Sequence, residues 1–373
     1  MSILTKEQVD IKTAAREFAE GEFPGIAAEC DVEEKFPKAL WEKACELGFV
    51  GIFLDKDDDG AGTVLLDYAL ILEEFWRVDP GCGNILLSTF GSETIQEYGS
   101  EKQKELYLPP LIEGKAIMGA PANEGQGIYY SSNGGNEYIV NGSNGFVING
   151  GIADHIVIFG KDRDDVSGNE ANYTAFIIEK GQKGFLTQTL SDKLGIRATN
   201  IAEVALENVL VPAENVIGKA GEAFLYMSRF LDRLNVYSSA QAIGASQGCL
   251  EKSISYSRKR VQFGRPIGWF QMIQTKIADI AIMTEAARNL YYKAALEYGS
   301  GVKNNKTGLI ASTLARQVAI DAASDTLQIH GGYGYTKELD VERFYRDVQF
   351  LELLGTSKGN TKLALASQLL GRL

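Results

Sequence analysis

The sequence predicts a multidomain α+β protein: an all-helical N-terminal domain over residues 1–117, a small β-barrel or sandwich over 118–220, and a C-terminal four-helix-bundle domain over 221–373. Three observations carry this: apolar residues recur at helical spacing up to about Lys115, the period shortens near Met118, and helical spacing returns after Gly221. At 373 residues and 45% hydrophobic content, the chain is long enough to bury two or three packed subdomains.

In the first domain REFAEGEF, PKALWEKACELGFVGI, LLDYALILEEFWR and SETIQEYGSEKQKELYLPPLIEGK place apolar residues three and four apart, separated by Gly, Pro and Asp clusters. The middle domain reads differently. NEYIVNGSNGFVING, HIVIFGK, YTAFIIEK and IAEVALENVLV alternate or are short and β-branched, and the Asn-Gly pairs at 141 and 144 suit hairpin turns. In the third domain no proline falls between Pro212 and Pro266, so the stretch from Ser228 to Gln274 reads as a long helix, a loop over 263–268 and a second helix.

A formal charge of −12 argues against nucleic acid or an anionic membrane as partner. No run reaches the roughly 18 apolar residues of a membrane span, and the opening residues lack a signal-peptide core, so a cytoplasmic location is expected. Cys30, Cys45, Cys82 and Cys249 show no paired spacing and His155 and His330 are the only histidines, so no metal site is expected. The acidic run at 55–60 lacks the downstream Glu of a calcium loop and reads as solvated.

Two stretches carry chemistry. Arg258, Lys259, Arg260 and Arg265 bracket Phe263 and Gly264 at a helix-to-loop transition, setting guanidinium donors beside an aromatic ring, as a pyrophosphate next to a flat ring system requires. An isolated basic run on an acidic chain would read as a solvated face. QIHGGYGY, from Gln328 to Tyr335, places glycines after a helix, where backbone amides approach a phosphate or ring closely, although alone it is also a tight turn.

Taken together, RKRVQFGRPIGWFQMIQ, QIHGGYGY, VERFYRD with GTS at 355–357, and DKLGIRATNIAEVALENVLVP resemble the acyl-CoA dehydrogenase flavoprotein family over nearly the whole chain. The resemblance implies FAD, an acyl-CoA substrate, a homotetramer, and electrons leaving through an electron-transferring flavoprotein. It also implies that Arg260, Phe263 and Gln271, with Gln328, Gly331 and Gly332, serve a neighbouring subunit's cofactor, while Thr356 sits at the flavin of its own subunit. Asn123 falls in the loop APANEGQGIYY, which replaces the family's flavin-contacting loop, with Ala122 and Ile128 in place of hydroxyl residues. Phe146 stands where a flavin-packing Trp is usual and Ile148 where a Thr is usual, so Phe146 keeps a ring for the isoalloxazine and Ile148 loses a hydrogen bond.

The family's base, a Glu immediately before the Gly-Thr, is missing: Leu354 precedes Gly355. Glu352 is near in sequence, but two or three positions at a helix end turn a side chain by more than a right angle, so it is not taken as the base. A minority of the family carries its base on the long helix in a Leu-Glu-Arg-Leu context, which Leu231, Asp232, Arg233 and Leu234 resemble. Asp232 is therefore the expected base, weighed against a helix-surface ion pair with Arg229 or Arg233. Arg233 and Tyr237 are expected at the substrate.

The shorter acid suits a cyclic or branched acyl group, as in family members acting on cyclohexane- or cyclohexene-carboxyl thioesters. A non-catalytic subunit of a heteromeric dehydrogenase and a flavin-dependent monooxygenase are the rival readings. The pocket shape depends on how residues 86–89 pack against 232–237.

Overall fold

A computed structural model describes residues 4–52, 64–123, 127–134, 136–165, 172–302, 306–356 and 358–371; the acidic run at 55–60 lies outside them. Helices fill the N-terminal part: α1 Lys6–Glu22, α2 Ala27–Glu33, α3 Lys38–Glu46, α4 Val64–Val78, α5 Pro80–Gly83, α6 Ser92–Tyr98 and α7 Glu101–Ile112. The Thr5 side chain accepts from the Gln8 amide while Gln8 reaches back to the Thr5 amide, a capping box that fixes where α1 begins. Phe18, Phe23, Phe49 and Phe75 then meet in one aromatic cluster, with the Phe23 and Phe75 rings edge to face at 5.1 Å.

The strands follow as β1 Met118–Pro121, β2 Ile128–Ser132, β3 Glu137–Ile148, β4 His155–Asp162, β5 Tyr173–Glu179, β6 Phe185–Thr189, β7 Ile201–Pro212 and β8 Val216–Ile217. Their order is β6-β7-β3-β1-β4-β5-β8, with β2 bridging β3 and β4. The Asn-Gly pairs at 141 and 144 make no hairpins. Both lie inside β3, where the register against β7 shifts between Val140 and Gly142 and again between Asn144 and Val147. Gly142 has φ 116°, and a Cβ there would stand 1.8 Å from the Gly127 carbonyl oxygen, so the glycine permits a bulge and a close strand crossing.

The C-terminal part holds α8 Ala223–Lys259, a short hairpin of β9 Val261–Gln262 and β10 Arg265–Pro266, then α9 Gln271–Gly299, α10 Lys306–His330, α11 Val341–Asp347 and α12 Lys358–Leu370. The loop expected over 263–268 is thus largely ordered hairpin, with Phe263 and Gly264 at its tip. Helix α8 is the spine, packing on α4, α9 and α10. The parts are tied by charge: Arg343 Nε donates to Asp79 at 2.8 Å, and Arg346 grips Asp31 through two bonds of 2.8 and 2.9 Å. Asp347 Oδ1 accepts from the Ile196 amide at 2.6 Å, joining the end of α11 to the turn before β7.

Candidate active site

The site is organised around a crossing of two backbones. Beyond β1, the Ala122 amide donates to the Phe146 carbonyl at 2.9 Å, and the Ala122 carbonyl accepts from the Gly355 amide at 2.6 Å. Asn123 pairs with Gly355, so the end of the β domain and the C-terminal segment run side by side. Arg316 of α10 fastens that segment: Nη1 donates to the Thr356 carbonyl at 3.0 Å, and Nη2 donates to the Leu354 carbonyl at 2.7 Å and lies 3.4 Å from Ser238 Oγ.

Arg316 is 2% exposed, and its Nε has no hydrogen-bond partner. Burial lowers its pKa to about 10, against the opposing field of Glu352. Sequence reasoning overlooked this arginine, whose only visible sign was a lone charge in the otherwise small and apolar run LIASTLARQVAI.

Asn123, Phe146 and Thr356 meet at this crossing. Two residues of helix amount to about 200°, so Asp232 and Leu234 point to nearly opposite sides of α8. Leu234 faces the crossing: a Cβ on Gly355 would come within 3.5 Å of its Cδ2. Arg233 is engaged with Glu97 at 3.2 Å and with the Tyr298 hydroxyl at 2.8 Å.

Glu352 ends a 3₁₀ turn spanning Val348–Glu352, and the backbone then reverses at Gly355 with φ 77°. The 3₁₀ turn breaks the continuous α-helical phase that would turn Glu352 away from the position before Gly355. Its Oε1 is buried without a hydrogen-bond partner. Ala122, Ile128 and Ile148, the three residues that replace hydroxyls, are all buried in the apolar core.

A second group forms away from the crossing. Arg260, the C-cap of α8, places its guanidinium 5.5 Å over the Tyr333 ring, and both line a cleft of about 480 Å³ with Tyr256, Gly331 and Gly332. A Cβ on Gly331 or Gly332 would meet nothing within 4 Å, leaving room for a ligand against the backbone. Gln271 and Gln328 are exposed nearby in the chain, and Phe263 at the hairpin tip is 92% exposed with φ 50°. His330 is structural here, stacked on Tyr256 at 4.2 Å with Nδ1 2.8 Å from the Thr326 carbonyl.

A glycine-lined cleft that offers the Arg260 guanidinium, with Glu338 also on its wall, together with a buried backbone crossing flanked by Phe146 and Thr356, fits FAD and points to a flavin-dependent oxidoreductase on a helix–sheet–helix scaffold. Domain descriptions of acyl-CoA dehydrogenases match along nearly the entire chain: the N-terminal domain over residues 5–115, the middle domain over 119–209 and the C-terminal domain over 224–369. The chain belongs to the acyl-CoA dehydrogenase family, whose members are FAD-dependent and act on the CH–CH bond of acyl-CoA.

It is 37% identical to a short-chain-specific acyl-CoA dehydrogenase of Clostridium acetobutylicum, over 98% of each chain. It is 34% identical to an acryloyl-CoA reductase (NADH) of Anaerotignum propionicum, over 99% of this chain and 96% of the other. The butyryl-CoA dehydrogenase structure from Megasphaera elsdenii superposes with a TM-score of 0.91 at 32% identity, covering 98% of this chain and 99% of that one.

Proposed function

We propose that this flavoenzyme exchanges a proton at Cα and a hydride at Cβ of a short acyl thioester, with Glu352 as the group that holds the proton. The observation that carries this reading is the fastened crossing, which brings Thr356, Asn123 and Phe146 together and sets Glu352 in the field of Arg316. Bound FAD supplies the hydride acceptor or donor. The chain's own residues orient the thioester and exclude water: Leu234 and Leu354 give the crossing an apolar wall, and the Arg316 clamp fixes the segment that bears Glu352.

A carboxylate is needed to move the proton. Asp232 is the other candidate, and the preference for a cyclic or branched acyl group depends on it. Its place on the far side of α8 from Leu234 weighs against both. The acryloyl-CoA reductase relative supports including the reducing direction, and a caffeyl-CoA reductase-Etf complex subunit of Acetobacterium woodii, 32% identical, supports electron exchange through an electron-transferring flavoprotein.

Anaerobic mixing of the FAD-loaded protein with linear and cyclic acyl-CoAs tests the reading. Glu352→Gln abolishes bleaching of the flavin band while FAD stays bound, and Asp232→Asn leaves it intact. The reverse pattern returns the base to Asp232 and the substrate to the cyclic class. Absence of bleaching by any acyl-CoA in the wild type, together with no reoxidation of reduced protein by enoyl-CoA, favours a non-catalytic subunit.

A further inference from the structure

The helical face that meets α8 one turn beyond Leu234 is unexpectedly polar. Glu93 of α6 is 2% exposed, and its Oε2 accepts from the Gly91 amide at 2.8 Å, while Oε1 has no hydrogen-bond partner. Tyr237 of α8, 1% exposed, faces it closely enough that its hydroxyl acts on the Glu93 carboxyl and opposes the effect of burial there, yet the hydroxyl does not reach full hydrogen-bonding geometry with any group. The hydroxyls of Ser88, Ser92 and Thr94, in the same stretch of chain, are buried and unpaired as well.

Each unpaired buried polar group costs about 1–3 kcal/mol, and folded domains hold only a few per 100 residues, so this concentration calls for a partner. Gly91 brings the stretch into place. At φ 103° its Cβ would stand 2.9 Å from Ala120, a contact that only glycine relieves, and Thr89 bridges to Met118 at the start of β1. The stretch therefore lies along the strand whose other end forms the crossing, opposite the 232–237 segment of α8.

We propose that Glu93 and Tyr237 form a polar subsite that binds a neutral oxygen function, a hydroxyl or keto group, carried on the acyl chain of the substrate. This rests on the acyl-thioester reading above and adds the chemistry of the acyl tail. Neutrality follows from the surroundings. Burial raises the Glu93 pKa and favours its protonated form, which donates through one oxygen and accepts through the other. Arg233, the nearest cation, is already engaged with Glu97, so no free positive charge waits for a carboxylate. One helical turn beyond Leu234 is about 5 Å, a length that roughly three or four carbon–carbon bonds span from the reacting carbons.

The test compares ω-hydroxy- and ω-oxoacyl-CoAs with plain acyl-CoAs of equal length, about four to six carbons, by the shift each produces in the flavin band of the FAD-loaded protein. Binding is read without turnover, so the outcome stands apart from whether the thioester is oxidised. The oxygen-bearing chains bind at least about 10-fold tighter, and Glu93→Gln and Tyr237→Phe each shrink that ratio. Equal or tighter binding of the plain chains overturns the subsite, as does a ratio that neither variant moves. A general loss of folding in one variant lowers both affinities together and leaves the ratio measured on the wild type and the other variant to decide.

Discussion

The cleft beneath Arg260 and the crossing at Gly355 are built in opposite ways. The cleft is open, and it works through a side-chain charge, an exposed ring and bare glycine backbone. The crossing is buried and works through main-chain hydrogen bonds held by a single guanidinium. The difference teaches where sequence variation is tolerated. A surface that receives a fixed ligand must keep its charges and its gaps, whereas a buried backbone junction survives exchange of its side chains as long as its carbonyls stay gripped.

The largest effect should come from breaking the grip. Arg316→Met removes both carbonyl contacts, and a displacement of about 1 Å at a reacting centre costs on the order of 100-fold in kcat/KM. Flavin content, read from the ratio of visible to ultraviolet absorbance, should remain near wild type. Arg316→Lys, with one point charge for two carbonyls, should recover only part of the activity. Loss of flavin in parallel with activity would merge the two regions into one.

Arg260→Ala probes the cleft. Losing a charge-assisted contact of about 1.5–3 kcal/mol should weaken FAD binding roughly 10- to 100-fold in a titration of the apoprotein, with turnover at saturating FAD little changed. A fall in kcat at saturating FAD would show that the cleft shapes the chemistry as well as the affinity.

A smaller effect separates the regions by pH. Burial, with Asp79 close by, raises Asp347 from 3.8 to about 8, and Oδ2 has no hydrogen-bond partner. Folded protein therefore holds a proton that the unfolded chain releases near pH 3.8. Its contribution to stability is complete below that value and is lost as pH rises through about 8. The melting temperature should fall over this range and Asp347→Asn should flatten the curve. Hydrogen exchange should quicken at the Ile196 amide and the segment after α11 before it does around Arg260.

The architecture was legible from periodicity because amphipathic helices and alternating strands state their burial residue by residue. The exceptions were local. Asn-Gly at 141 and 144 carries the chemistry of a hairpin turn, yet β3 runs straight through it, since the pairing with β7 outweighs turn propensity and the spare residues become bulges. Arg260, Gly331 and Gly332 stood out because a charge and missing side chains are visible residue by residue, and the three line one cleft. Asp232 and Glu352 were hard to rank from the chain alone because a run of arginine and leucines does not state helical phase, and it is Leu234, two residues on from Asp232, that lies against Gly355. Arg316 and Glu93 were hidden by their positions: what each faces lies across the fold, and no local sequence pattern encodes a partner on another element.

Arg316 also bears on how such a chain can change over generations. A clamp that recognises carbonyl oxygens is indifferent to which amino acids carry them, so substitutions at Leu354 or Thr356 leave its hold untouched. The same arginine that keeps the terminal segment in place thereby releases it from inheritance of any particular side chain, and new reactivity can be tried there while the fold stays constant.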